Sequence, residues 1–317
     1  MIKKMSLKKI LICIISLFAI FLIYIIPDNE EIKINEELVY IDENINTSTI
    51  FLLNSNNLLG MTKIITNGKT IEQKATELIK ALTIDSEMQD NIPNGFKALI
   101  PPNTKINSIK YENNLLKIDF SKEFLEIQKE NEIKVIEAII YTLTNIDEVD
   151  NIIIYVDGKI LTHLAKSNIT LPSTLNRSFG INKEYDITSN KDITKTTIYY
   201  VSLNNNDVYY VPVTKINNDN RKKIEIIIDE LSSNNVYKNN LMSYLNSNTE
   251  IISVNENENE FSINFNNNIL ADLNSNEILE EVIYTISLSI EDNYNVNSIV
   301  FNVENEEIYK KVIKTIE

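Results

Sequence analysis

The sequence predicts an α/β protein of the α+β kind: two tandem β-β-α-β-β-α-β modules, each a mixed sheet with two helices, behind an N-terminal transmembrane helix. Three observations predict it. Short apolar runs with partial alternation are bounded by Asn-rich turns, the pattern of strands in hairpins. Between them lie stripes at helical spacing, such as Ile71, Ala75, Leu78, Ile79 and Leu82. The succession then recurs, seven elements in one order, at offsets of 143 to 148 residues, which marks a repeated unit.

The N-terminus comes first. Lys3, Lys4, Lys8 and Lys9 precede a run from Ile10 to Ile26 that carries no charge. As a helix it spans about 25 Å, the short end of what crosses a bilayer. A cleaved signal peptide would end on small residues, whereas this run closes on Tyr24-Ile25-Ile26-Pro27-Asp28. Cys13 stands too early in the run for a lipidation site and reads as a small apolar residue facing lipid. The lysines therefore assign 1–9 to a cytoplasmic tail and 10–26 to an uncleaved, single-pass signal anchor. The acidic, Asn-rich stretch 27–48 is a tether, able to reach about 70 Å when fully extended.

Module one covers 49–160. Thr49 to Leu53 and Leu59 to Thr66 form a hairpin around Asn54-Ser55-Asn56-Asn57. Thr70-Ile71-Glu72-Gln73 is a capping box that starts the first helix. Pro101-Pro102 ends an irregular stretch, and a second hairpin runs from Lys105 to Phe120 through Glu112-Asn113-Asn114. Ile133, Ile136, Ile140 and Leu143 mark the second helix, and Ile152 to Val156 suits a strand that is central or covered on both faces. A linker, 161–196, contains Pro172 and Gly180 and leaves the relative docking of the modules open.

Module two, 197–317, repeats the order with weaker signals. Its first hairpin holds Tyr199, Tyr200, Tyr209 and Tyr210, and its first helix Ile224, Ile227, Ile228 and Leu231. Thr249 to Val254 and Phe261 to Phe265 are the second hairpin. Asn274-x-x-Glu277 is expected to start the last helix, with Ile278, Val282, Ile283 and Ile286 on its face, before Ser298 to Val303 closes the module. Ile118-Asp119-Phe120 aligns with Ile263-Asn264-Phe265, and Tyr141-Thr142 with Tyr284-Thr285.

Composition narrows the function classes. The net charge is −15, and Met1 to Ile26 holds four lysines and no acid, so the remainder is more acidic still. Such a surface is repelled by nucleic acid and anionic lipid; it also serves plain solubility. Cys13 is the sole cysteine, so the exported part holds no disulfide and depends on packing. Asn, Ile and Lys are overused as in AT-rich coding sequence, and Arg occurs only at Arg177 and Arg221.

No constellation of reactive residues is visible. His163 is the one histidine and reads as a surface residue beyond a strand end. No G-x-S-x-G elbow is present. Asp119, between Ile118 and Phe120, reads as a solvent-facing or turn-anchoring carboxylate rather than an acid catalyst. Asp157-Gly158 is a tight turn. Neither Asn54 to Asn57 nor Asn255 to Glu260 has the glycine and terminal glutamate of a calcium loop. Catalytic, cofactor-binding and metal-binding residues are therefore assigned to none, and no cofactor is expected.

Taken in order, Ile100-Pro101 before Thr104-Lys105-Ile106, Leu115 to Glu123, Tyr141-Thr142-Leu143 and Val156-Asp157-Gly158-Lys159 resemble the GerMN domain of sporulation and spore-germination proteins of endospore formers. Module two lacks the Pro, the Asp and the Asp-Gly of that pattern. The resemblance implies a protein of the sporulating cell envelope, exported into the space between mother cell and forespore. It also implies a scaffold role, since the fold resembles ring-building modules of secretion-like assemblies. Proteins of this type are often lipoproteins, so an anchor helix is a departure from the pattern.

The leading expectation is thus a non-enzymatic, membrane-tethered assembly protein of sporulation or germination, binding envelope proteins through module surfaces or sheet edges. The alternative is a module that binds cell wall, peptidoglycan included, or a small ligand, with the tyrosine-rich hairpin as the place to look. An envelope hydrolase is third and requires carboxylates that converge in a pocket.

Overall fold

The computed structural model describes residues 46–205, 207–233, 240–257, 259–272 and 276–313. The predicted tail, the signal anchor 10–26 and the tether up to residue 45 lie outside the described residues. Among the described residues, no helix is long and apolar enough to cross a membrane. Both modules fall within one compact unit, 46–317.

Module one opens with β1 (Thr47–Leu53) and β2 (Leu59–Ile65), an antiparallel hairpin closing at Leu53↔Leu59. Asn54 shapes the tip: its Oδ1 accepts the amides of Asn56 and Leu58, each at 2.9 Å. Helix α1 (Ile71–Leu82) begins at the predicted capping box, with Thr70 accepting the Gln73 amide and Gln73 accepting that of Thr70. Ala75, Leu78, Ile79 and Leu82 are buried, as their spacing requires.

The second hairpin, β3 (Ile106–Glu112) and β4 (Leu115–Phe120), turns at Asn113 and Asn114 with φ of 51° and 59°. Two successive left-handed residues make the primed turn that matches strand twist, and Asn tolerates it. Helix α2 (Glu132–Leu143) then crosses over to β5 (Asn151–Val156), which pairs parallel with β4. Strand β6 (Lys159–Ile160) folds back on β5 through Asp157-Gly158. The apolar run of β5 is therefore central, in a sheet ordered β3-β4-β5-β6.

The linker carries a short strand, β7 (Glu184–Asp186). Module two follows: β8 (Thr194–Asn204), β9 (Asp207–Asn217), α3 (Lys223–Ser232), β10 (Ile251–Glu256), β11 (Glu260–Phe265), α4 (Glu280–Asn293) and β12 (Ser298–Val303). A strand the sequence did not predict, β13 (Glu306–Val312), completes a sheet ordered β10-β11-β12-β13.

The α+β class stands, with a finer arrangement of strands than one sheet per module. The two first hairpins fuse, because β2 pairs antiparallel with β9 at Met61↔Tyr210, β8 flanks β9 on its other side, and β7 runs parallel to β9. The reason is physical. A lone two-stranded hairpin is marginal in water, and joining it to its copy pairs one edge of each.

One further expectation is corrected. Helix α4 starts at Glu280 rather than at Asn274-x-x-Glu277; the Glu277 carbonyl instead accepts the Ala271 amide at 2.8 Å, which holds that stretch in a bridge. The linker is packed, with Leu164, Leu171, Leu175 and Ile181 all buried in the core of module one. Glu132, at the start of α2, accepts the amides of Lys166 at 2.7 Å and Ser167 at 2.8 Å and pins it down.

Candidate functional site: the junction of the modules

The residues weighed as chemical candidates have structural places. Asp119 anchors a turn: its Oδ1 accepts the Gly158 amide at 3.0 Å, where Asp157 and Gly158 have φ of 47° and 76°. Asn264, its counterpart, accepts the Asn305 amide at 2.9 Å in the turn between β12 and β13. There Glu304 and Asn305 have φ of 49° and 72°, so Asn does the work of glycine. His163 is exposed, with Nδ1 3.0 Å from the Thr162 hydroxyl. Among the described residues no group of three or more His, Cys, Asp or Glu is placed to hold a metal ion.

Several buried polar contacts lie where the modules meet. At one end of the shared sheet the amide of Asn54 donates to the Tyr209 hydroxyl at 3.0 Å, and the Ser202 hydroxyl donates to the same oxygen at 2.9 Å. The Tyr209 ring meets Phe96 edge-on at 4.9 Å between centroids. Gly60 of β2 lies under both rings; a Cβ there would stand 2.8 Å from Tyr209 and 3.0 Å from Phe96.

At the middle of the seam, Asn182 acts as a one-residue strand. Its Oδ1 accepts the Leu59 amide at 2.9 Å, and its Nδ2 donates to the carbonyls of Leu59 at 2.9 Å and Pro212 at 2.8 Å. Asn182 reaches this position with φ of 46°, which asparagine tolerates better than most residues. Its own amide donates to the buried Glu137 of α2 at 2.9 Å, and Lys183 pairs with the same carboxylate at 3.2 Å. Burial raises the pKa of Glu137 and lowers that of Lys183, and their mutual attraction opposes both shifts.

At the other end Arg177 ties three elements together. Its guanidinium pairs with Asp292 of α4, whose side chain is 1% exposed. It also donates to the Thr144 hydroxyl at 3.1 Å and the Tyr199 hydroxyl at 3.4 Å, and it lies 4.9 Å over the Tyr141 ring. The Tyr199 hydroxyl donates to Asp292 at 2.9 Å. Burial disfavours the Arg177 cation, yet Asp292, Tyr199 and Tyr141 together more than offset this and its pKa is raised. Burial and then the Asp292 charge push the Tyr141 and Tyr199 hydroxyls well above the usual phenol range, so both remain donors.

The tyrosine-rich hairpin belongs to this junction rather than to a ligand platform. Tyr199, Tyr200 and Tyr209 are buried and Tyr210 is half-buried. Tyr210 stacks on Tyr284 of α4 with centroids 5.6 Å apart. The outer edges of the shared sheet are closed by side chains of the second helices: Thr142 accepts the Phe51 amide at 3.0 Å, and Ser289 accepts the Tyr199 amide at 2.9 Å. Thr142 thus corresponds in role to Ser289, one helical turn beyond the Thr285 that sequence alignment paired with it.

Sequence reasoning missed Asn54, Asn182 and Asp292, because ordinary residues in an Asn-rich, acidic chain carry no local signal. Arg177 did carry one. It is one of two arginines among thirty basic residues, and a planar fork is what a multi-partner site needs where lysine would not serve.

Beside Arg177 a groove of about 310 Å³ opens to solvent. The half-buried Lys183 and the exposed Lys195 line it, with Phe179, Tyr185, Leu175 and Ile216. Lys183 Nζ sits 3.5 Å over the Phe179 ring, and Lys195 Nζ donates to the Ser178 carbonyl at 3.3 Å.

Comparison with known proteins bears on the whole arrangement. A family model described as "Germane: Sporulation and spore germination" matches residues 49–162 and 197–309. The spore germination protein GerM of Bacillus subtilis (strain 168) is 32% identical over 164 residues, 50% of this chain and 44% of that protein, so the match spans less than half its length. The solved tandem GerMN domains of the sporulation protein GerM from Bacillus subtilis superpose with a TM-score of 0.75 at 24% identity, over 82% of this chain and 92% of that one. This last likeness concerns the fold.

Proposed function

Because the chain belongs to the Germane family of sporulation and spore germination proteins, we propose that it is a non-enzymatic scaffold which docks envelope proteins on two rigidly joined modules. In this reading residues 10–26 anchor it in the membrane, with the modules outside, in the space between mother cell and forespore. The observation that carries the reading is the junction. A shared sheet, the Asn182 bridge and the Arg177–Asp292 pair fix the modules as one body, which suits a part that must present two surfaces at a set geometry.

Docking is by surface patches rather than by strand addition. The open edge strands β3 and β10 each carry a β-bulge, and a third bulge lies where β12 pairs with the outer strand β13. Bulges disrupt edge pairing, and Glu306, Glu307, Lys310 and Lys311 charge the β13 edge further.

The test is a cross-linked pull-down of tagged protein from sporulating cells, with growing cells as control. Recovery of forespore or mother-cell envelope proteins only in the sporulating sample is the expected result. Wall material alone, or the same pattern in both samples, would defeat the scaffold reading.

A further inference from the structure

The groove beside Arg177 differs from the surface around it. The chain carries 45 acidic and 30 basic residues, yet the residues lining the groove include two lysines and no carboxylate. Glu137 meets Lys183 at 3.2 Å as an ion pair and is itself 2% exposed. Glu184 and Asp186 flank Tyr185 on β7 and, with Glu230, line an adjoining concavity that shares Tyr185 and Ile216; there Lys215 engages Glu184 at 3.6 Å and Glu230 at 2.8 Å.

The walls mix apolar residues, Leu175, Phe179, Tyr185 and Ile216, with the polar Asn176 and Ser178. Tyr185 is 67% exposed, more than any other exposed large hydrophobic residue in the described chain, and it stands at the lip with Ile216 behind it. The groove is built by the linker, Lys195 of β8 and Ile216 of β9, and its lining includes Asn176 and Ser178 on either side of Arg177, so its shape depends on the two modules being docked.

These features select a ligand. An acidic surface repels long polyanions at distances up to the screening length of about 8–10 Å. A local pair of cations inside that field therefore suits a ligand with one or two negative charges. Two lysines beside the exposed Tyr185 and the aliphatic Ile216 fit a carboxylate next to an apolar side chain, the pairing an acidic peptide offers. The volume of about 310 Å³ is the size of a short peptide segment.

We propose that this groove binds a short acidic peptide segment of a partner protein, its carboxylates on Lys183 and Lys195 and an apolar side chain against Tyr185 and Ile216. The inference deepens the scaffold reading and rests on it only for the biological source of the peptide.

The experiment is a ligand-observed NMR titration of N-acetyl-Leu-Glu against the full chain in deuterated detergent micelles at low salt. The expected dissociation constant is on the order of 1 mM or tighter for a ligand of this size. The uncharged N-acetyl-Leu-Gln-amide should bind at least tenfold more weakly, and so should the acidic peptide to Lys195→Glu and to Tyr185→Ala. Both side chains are exposed, and unchanged far-UV circular dichroism checks that the variants fold. Equal binding of the charged and uncharged peptides, which needs no variant at all, would overturn the proposal. So would undiminished binding to Lys195→Glu, or no binding to the wild type. Tighter binding of the wall-type peptide N-acetyl-L-Ala-γ-D-Glu would reassign the groove to peptidoglycan. A negative titration with a positive pull-down removes the groove and keeps the scaffold; the converse removes the sporulation partner and keeps the groove.

Discussion

Replacing Arg177 by Met tests whether the junction is what holds the modules as one body. The change keeps the length and apolar stem of the side chain and deletes the fork. Asp292, with its side chain 1% exposed, is then left with the Tyr199 hydroxyl at 2.9 Å and no cation. Breaking a buried pair from one side costs about 3–5 kcal/mol. The Arg177 side chain is 27% exposed, so water can reach the vacated position and the lower end of that range, about 3 kcal/mol, is the expected loss. That is a factor of more than about 100 in the folding equilibrium. Urea unfolding of residues 46–317, followed by far-UV circular dichroism, should show a lower midpoint and a transition that broadens or splits as the modules uncouple. The double variant Arg177→Met/Asp292→Leu should recover roughly half of the loss, because an apolar pair leaves no orphan charge. A single sharp transition within about 0.5 kcal/mol of wild type, or strictly additive single and double variants, would refute the clamp.

Four further outcomes are expected. Asn182→Ala removes one bond to the Leu59 amide and two to carbonyls, and should cost about 2–4 kcal/mol; faster hydrogen exchange at the Leu59 amide distinguishes it from a diffuse loss. Gly60→Val drives a side chain into Tyr209 and Phe96 and should destabilise by about 1–3 kcal/mol, with Phe96→Ala recovering part in thermal melts. At Gly158 a Cβ meets nothing within 4 Å, so Ala pays only for the φ of 76°, about 1–2 kcal/mol, whereas Asn, which Asn305 shows to be at home in the equivalent turn, should cost less than half as much. Glu132 supplies a pH dependence: burial pushes its pKa up, but the hydrogen bonds from Ser167 and Lys166 outweigh this and hold it below the usual glutamate value. Its stabilisation is therefore present above the ordinary glutamate range and is lost as pH falls through the lowered native pKa; Glu132→Gln should cost about 1.5–3 kcal/mol at pH 7 and nothing in strong acid, as urea midpoints at the two pH values will show.

What was legible in the sequence was local. The capping box at Thr70, the stripe through Ala75, Leu78 and Leu82, and the Asn113-Asn114 turn each specify their own backbone within a few residues, and the structure has them. Strands β7 and β13 were not legible because their pattern is that of solvent. Glu184-Tyr185-Asp186 is wholly exposed and exists as a strand only because β9 is beside it. The fused sheet was illegible for the same reason, since nothing within β2 says whether its free edge will meet Tyr210 of a distant hairpin. For the site, the Arg177 signal was compositional, and its partners Tyr141 and Thr144, Tyr199, and Asp292 come from three separate stretches that only the tertiary fold assembles.

The second module shows why a repeat can fade in sequence and persist in structure. Asp119 and Gly158 in the first copy become Asn264 and Asn305 in the second. The amide of residue 158 or 305 still donates to the side-chain oxygen of residue 119 or 264, at 3.0 and 2.9 Å. The second copy adds a reciprocal bond, Asn264 Nδ2 to Asn305 Oδ1 at 2.9 Å, which a carboxylate facing a glycine cannot make. The same substitution of means appears where Ser289 takes the part of Thr142 on the neighbouring strand. What is kept in both cases is a satisfied backbone amide at one position in the fold; for the buried amides of Phe51 and Tyr199 the reason is that an unpaired amide costs more than a change of partner. Matching residues by identity therefore placed Thr142 against Thr285, one turn short, while matching by the hydrogen bond made places it against Ser289. In a degenerate repeat, the donor that must be satisfied is the surer guide to which residues correspond.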